Sequence, residues 1–324
     1  MIDCSYRLDE YAAAKRAAIE PALDRFLNSS ASPKPLWDSM RYSALNGGKR
    51  FRAMLCLASA EAIALSKSDR ALTLDDAESR AMACACAIEM IHAMSLIHDD
   101  LPCMDNDDFR RGKPTNHKVY GEALALLAGD GLLAYATEVL IRHTPSTVRP
   151  EILLDVTAAL AHATGPSGMV GGQVEDCIAT GLMSCEEGTA IISEDRLTLL
   201  ESIHKKKTGA LLRFSAWSGA RLMEADEHVL NMLYRYGEIL GIAFQIADDL
   251  LDITGDISTL GKTPGKDVAS GKVTWVTVYG VEGARKALVD LEREGNEALA
   301  ATGCGEAAIA PLSALLGYAI HRTN

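Results

Sequence analysis

The 324-residue sequence predicts an all-α fold, with about ten helices in a single domain spanning residues 1–324. Three observations predict it. Ala and Leu dominate while aromatic residues make up only 5%, which favours helix over strand. Apolar residues recur at helical spacing almost throughout, and no alternating run with a hairpin signal appears. No polar linker divides the chain, and the period of roughly 20–50 residues that marks a solenoid is absent.

In order, the periodic stretches are Tyr11–Leu27, Leu36–Leu65, Asp76–His98, Glu122–His143, Pro150–Ala163, Arg196–Arg221 and Glu227–Ile253, followed by two more helices. Gly, Pro and Asn punctuation separates them, as in "HTPST", "ATGPSG" and "GKTPGKD". With 48% hydrophobic and 23% charged residues, the chain has ordinary globular composition and material for a large core. A net charge of −12 argues against nucleic acid as a partner. The eight cysteines include no CxxC pair and read as reduced core thiols. The stretch "MIDCSYRLDEYAAAKRAAIE" is amphipathic, not rich in Arg and Ser, so no targeting segment is expected. Glu89, His92 and Asp130 interrupt the longest apolar runs, so no transmembrane segment is expected either.

Charge is concentrated in one place. Between Asp99 and Asp108 lie five aspartates, and Arg110, Arg111 and Lys113 follow at once. About 150 residues later a second apolar helix ends in Asp248, Asp249 and Asp252. Residues 248 and 252 share a helix face, where like charges repel by roughly 0.2–0.5 kcal/mol. Half-buried carboxylates need counter-charge, and Mg²⁺ supplies it with one or two carboxylates plus phosphate oxygens. Asp105, six residues beyond Asp99, would face away on an ideal helix. Pro102 cannot continue the helical hydrogen bonds, so a bulge through Leu101–Met104 returns Asp105 to the same side. Each cluster alone reads as a solvated helix end; together, with basic clusters elsewhere, they favour paired metal sites.

Two other motifs fail. From Asp105 a calcium loop would need Gly sixth and Glu twelfth, where Arg110 and Asn116 stand. "GDISTLGKT" has five residues between Gly255 and Gly261, where a P-loop has four, and it follows a helix instead of a strand. The cations fall into two sets. Lys49, Arg52 and Arg111, with His92, suit one diphosphate, and Gly47 and Gly48 let the backbone approach it. Arg110, Lys207, Lys262 and Lys272 suit a second anion near the metals. A lone Lys or His92 alone reads as a surface cation or a core residue.

From "GGKRFRAML" to Lys272 the chain closely resembles the trans-isoprenyl diphosphate synthases, and most closely the geranylgeranyl diphosphate synthases of plants, algae and cyanobacteria. "DDLPCMDNDDFRRGKPTNHK" and "FQIADDLLD" resemble the family's two aspartate-rich motifs, and "KKKTG" and "GMVGGQVED" match in order and spacing. The resemblance implies an isoprenoid-synthase helical bundle around a central cavity, in a homodimer. It implies that Asp99, Asp105, Asp248 and Asp252 hold Mg²⁺, three ions per site with Mn²⁺ able to substitute, supported by Asp100 and Asp249. Asp176 and Gln173 match the polar pair beside the metals. Arg110, Lys207, Thr208, Gln245, Lys262 and Lys272 would bind an allylic diphosphate, with Lys207 among the catalytic set. Lys49, Arg52, His92 and Arg111 would bind isopentenyl diphosphate.

The implied reaction breaks the allylic C–O bond, joins the resulting cation to the double bond of isopentenyl diphosphate, and releases a proton and diphosphate. Met94 and Ser95, five and four residues before Asp99, would line the path of the growing chain. Short-product bacterial relatives carry a bulky aromatic at the fifth position, so the slimmer Met94 implies a C20 product, a carotenoid precursor. A C15 or mixed-length product is the second expectation; a terpene cyclase or a silent subunit of a heteromer is the third. The implied compartment is a cyanobacterial cytoplasm or a plastid stroma, any transit peptide being absent from the chain. Two departures are visible: Ala53 stands where a proline is common, and "KVTWVTVYG" replaces a Thr-Tyr-rich stretch.

Overall fold

The computed structural model describes residues 7–66, 72–183, 196–254 and 274–322. Its helices are α1 (Leu8–Leu27), α2 (Lys34–Ala44), α3 (Phe51–Ser66), α4 (Leu74–Asp99), α5 (Asn116–Tyr120), α6 (Glu122–His143), α7 (Pro150–Thr164) and α8 (Met169–Ala179). Then come α9 (Arg196–Ile203), a π-helical turn (His204–Thr208), α10 (Gly209–Leu222), α11 (Glu227–Thr254), α12 (Trp275–Ala301) and α13 (Glu306–His321). The fold is all-α, as the sequence predicts.

Helix α4 is the axis of the bundle. It packs against α3, α6 and α10. From Ala83 to Ile91 every residue is buried, on all sides of the helix, which is why its sequence is apolar all round instead of striped. Each large side chain there, such as Ile88, Met90 or Ile91, contributes roughly 1.5–3 kcal/mol by burial. Its start is set by a capping box: Thr73 accepts from the Asp76 N–H at 3.1 Å, and Asp76 accepts from the Thr73 N–H at 2.8 Å.

Three sequence expectations need correction. The periodic stretch Leu36–Leu65 is two helices, parted at "LNGGKR", where Gly47, Gly48 and Arg50 all have positive φ. The stretch Arg196–Arg221 is broken by the π-helical turn. A hairpin is present despite the weak pattern: Phe109–Arg110 pairs with Lys113–Pro114 across Arg111 and Gly112, both with positive φ. Gly112 readily supplies one of the two positive-φ positions of the two-residue turn, and Arg111 supplies the other.

By length and composition, α4 and α6 are also long and apolar enough to cross a membrane, their few charges notwithstanding. In the bundle α4 is central. On α6 one face is core, while Leu126, Leu127 and Leu133 on the other are exposed.

Candidate active site

Helix α4 ends at Asp99, and the chain turns back on itself at Pro102. The Asp105 N–H donates to the Asp99 carbonyl at 2.8 Å, and the Asn106 N–H to Leu101 at 3.1 Å. The bulge therefore returns Asp105 toward Asp99. Burial pushes the Asp99 carboxyl up to about 6; Lys207 opposes that rise, and Asp105 adds to it. Asp100 is buried and accepts two bonds from Arg110 Nε, at 2.8 and 2.9 Å, and one from Nη2 at 2.5 Å. Arg110 is thus aimed by Asp100.

Opposite, the π-helical turn carries Lys207, whose Nζ lies 2.6 Å from Asp176. A π turn bulges one residue out of the helical ladder, and Lys207 uses that displacement. Gly172 of α8 makes room: a Cβ there would sit 2.2 Å from the Lys207 backbone N. Burial alone would lower the Lys207 pKa, but Asp176 and Asp99 hold it above the ordinary lysine range. Lys206 pairs with Glu175 beside it. Thr208 donates to Gln245 at 3.1 Å, and Gln245 donates to Asp249 at 3.3 Å. Asp249 also accepts from the Trp275 N–H at 2.8 Å. Buried Asp249 thus ties the start of α12 to α11, and Thr208 and Gln245 are fixed by each other.

The second aspartate motif presents its members differently. Asp248 lies 2.6 Å from Arg322. Asp252 Oδ2 is buried without a hydrogen-bond partner among the described residues. Also among the described residues, no three Asp, Glu, His or Cys side chains converge on a preformed metal site. Mg²⁺ does not need one, because substrate phosphates and waters complete its octahedron. An orphaned buried carboxylate oxygen and all-oxygen donors suit that ion.

A cavity of about 450 Å³ is lined by Lys49, Arg50, Arg52, Arg111 and Arg322, the partner of Asp248, with Glu89, His92, Phe244 and Tyr318. The hairpin sends Arg111 here and Arg110 to Asp100. Arg111 Nη1 donates to the Gly47 carbonyl at 2.5 Å and packs on Gly48, where a Cβ would lie 2.7 Å from it. Arg50 takes a positive φ of 52° and is clamped by Glu20 at 2.6 Å and by buried Glu89 at 3.3 Å. Lys49 lies 5.3 Å from the Tyr318 ring centroid. Burial pushes the Arg52 guanidinium down. Burial, and then Arg52 and Arg111, push the His92 imidazole well below its ordinary range.

An apolar cavity of about 400 Å³ opens from Asp99 and Lys207, lined by Met94, Ser95, Leu96, Leu126, Met169, Val170 and Leu211 among others. Arg52 and His92 line both cavities, so the anion pocket and the apolar pocket meet at those two side chains. Met94 and Ser95 both line the apolar cavity; Lys262 and Lys272 lie outside the described residues. Arg50, Glu89, Tyr318 and Arg322 were missed. Arg50 and Glu89 had a signal, as charges inside the apolar pattern; Tyr318 and Arg322 had none.

Residues 33–301 match the family described as Polyprenyl synthetase. A dimethylallyltranstransferase of Fischerella ambigua (strain UTEX 1903) is 43% identical over 324 residues, 100% of this chain and 86% of that protein. The chloroplastic geranylgeranyl pyrophosphate synthase of Capsicum annuum is 43% identical over 314 residues, 97% of this chain and 78% of that one. The crystal structure of an FPP/GFPP synthase from Zymomonas mobilis superposes with a TM-score of 0.78 at 34% identity, covering 96% of this chain and 98% of that one. The chain belongs to the polyprenyl synthetase family and is a trans-prenyltransferase.

Proposed function

We propose that this chain, as one domain, condenses isopentenyl diphosphate with allylic diphosphates of C5 to C15 to give geranylgeranyl diphosphate, C20, and diphosphate. The observation that carries the reading is the junction of the two cavities at Arg52 and His92. One cavity has cations for a diphosphate; the other has an apolar barrel capped by Asp99 and Lys207.

In this reading the isopentenyl diphosphate sits on Lys49, Arg52 and Arg111, with neutral His92 between the substrates. The allylic diphosphate faces Asp99, Asp105, Asp248 and Asp252, which would hold Mg²⁺ there. The ion, when bound, neutralises charge that develops on the leaving diphosphate. Lys207 and Arg110 share that task from the protein side, Arg110 aimed by Asp100 and Lys207 by Asp176. Lys262 and Lys272 complete the set by resemblance. Asp249 supports the metal face by anchoring α12. The hydrocarbon tail runs down the apolar cavity past Ser95 and Met94, which excludes water from the allylic cation.

The exposed α6 face, with Leu126, Leu127 and Leu133, supports a homodimer. A cyanobacterial cytoplasm or a plastid stroma is the matching compartment. A C15 or mixed-length product is the second reading, supported by the FPP/GFPP name of the Zymomonas mobilis relative. Asp99→Ala and Asp248→Ala test the site. Each should cut turnover at least about a hundredfold with Mg²⁺ at saturation. Near wild-type turnover in either variant would refute the assignment.

A further inference from the structure

Arg322 follows α13 and reaches back into the site. Its side chain is only 7% exposed, and its Nη2 lies 2.6 Å from Asp248 Oδ1. The same nitrogen donates to the Phe244 carbonyl at 2.8 Å, and the guanidinium lies 3.7 Å from the Phe244 ring centroid. Its Nε–H is buried without a hydrogen-bond partner among the described residues. That donor belongs to a side chain lining the cationic cavity. Tyr318, one helical turn earlier on the same face, lies beneath Lys49. The last helix thus closes one wall of the anion pocket while gripping an aspartate of the metal face. Asp248 is the accessible member of its motif, its side chain 48% exposed; neighbouring Asp249 is buried.

We propose that Arg322 is an exchangeable counter-cation: it neutralises Asp248 until a divalent cation takes that carboxylate, and then offers its guanidinium to the diphosphate held by Lys49, Arg52 and Arg111. The inference rests on the site roles given under Proposed function. Its physical basis is charge. A guanidinium that loses Asp248 is left buried among Lys49, Arg50, Arg52 and Arg111, where an anion is the available compensation. Metal loading on one side of the site therefore favours diphosphate binding on the other, and by reciprocity the diphosphate favours the metal. Arg322 is a positioning and binding residue in this scheme; it makes no contact with the bond that breaks.

Mn²⁺ binding to the substrate-free full chain, read by electron paramagnetic resonance, tests the exchange without any turnover. Arg322→Gln should bind Mn²⁺ about fivefold more tightly than wild type, because the competing cation is gone. Arg322→Lys, which restores a cation, should return toward the wild-type affinity. In an Asp248→Asn background the gain from Arg322→Gln should vanish. Separately, Arg322→Gln should raise the KM for isopentenyl diphosphate about tenfold and leave that of the allylic substrate within about twofold. Circular dichroism establishes that each variant is folded. Equal Mn²⁺ affinity in folded wild type and Arg322→Gln, or a gain that persists without Asp248, overturns the exchange. An unchanged KM for isopentenyl diphosphate overturns the hand-over. A chain with no turnover at all would refute the proposed function, while the Mn²⁺ comparison would still decide the exchange.

Discussion

Met94 is 3% exposed and lines the apolar cavity one turn below Asp99. Met94→Tyr places a ring across that cavity, so the main product should shorten to C15, as read by chromatography of the dephosphorylated prenols. An unchanged chain length would show that the tail takes another path. His92 makes a different prediction. Its pKa is lowered on folding, first by burial and then by Arg52 and Arg111. A lowered folded pKa means the unfolded chain binds the extra proton, so His92 favours folding above about pH 6.5 and opposes it below. Its imidazole ¹H–¹⁵N signals should therefore stay in the neutral pattern from pH 8 down through about 6.5, where an exposed histidine is half protonated. The aspartates could be found in the sequence because their chemistry needs acidic residues in a fixed order. Arg322 could not, since its role arises from a contact with Asp248 across 74 positions of chain.

Among the elements, the π-helical turn is the most demanding. It exists where α8 and the turn touch backbone to backbone at Gly172. Gly172→Ala should push the turn away, costing roughly 1–3 kcal/mol of stability. It should also lower kcat more than a distant variant of equal destabilisation, because Lys207 moves with the turn; thermal melting beside steady-state kinetics would separate the two effects. Most helices were legible because each buries an apolar face, and that periodicity survives in sequence. The interruptions were less so. The break at "LNGGKR" lies inside a continuous apolar pattern, and a π turn changes hydrogen bonding without changing composition. The hairpin that separates Arg110 from Arg111 is too short to show period-two alternation. It is the device that sends adjacent arginines to different substrates in the proposed function.

On the scale of the whole molecule, an acidic chain of net charge −12 gathers Lys49, Arg50, Arg52, Arg111 and Arg322 around one cavity. Its core runs unbroken from α1 to α13 around α4. Class and architecture were therefore readable from composition and period, and the motif order carried the family. Surface assembly was implied only by the family resemblance, because an exposed apolar helix face in sequence looks like a buried one. Leu127 is 55% exposed on α6. If that face joins two copies, Leu127→Glu should convert a dimer to a monomer in light scattering, and an unchanged mass would place the interface elsewhere. The measurement that bears most directly on the account is product analysis with Mg²⁺, labelled isopentenyl diphosphate and, separately, C5, C10 and C15 allylic diphosphates. Mainly C20 prenyl diphosphate is expected from every primer, and none when the metal is chelated. A product that stops at C15 would contradict the chain-length reading, and no elongation from any primer would contradict the central claim itself.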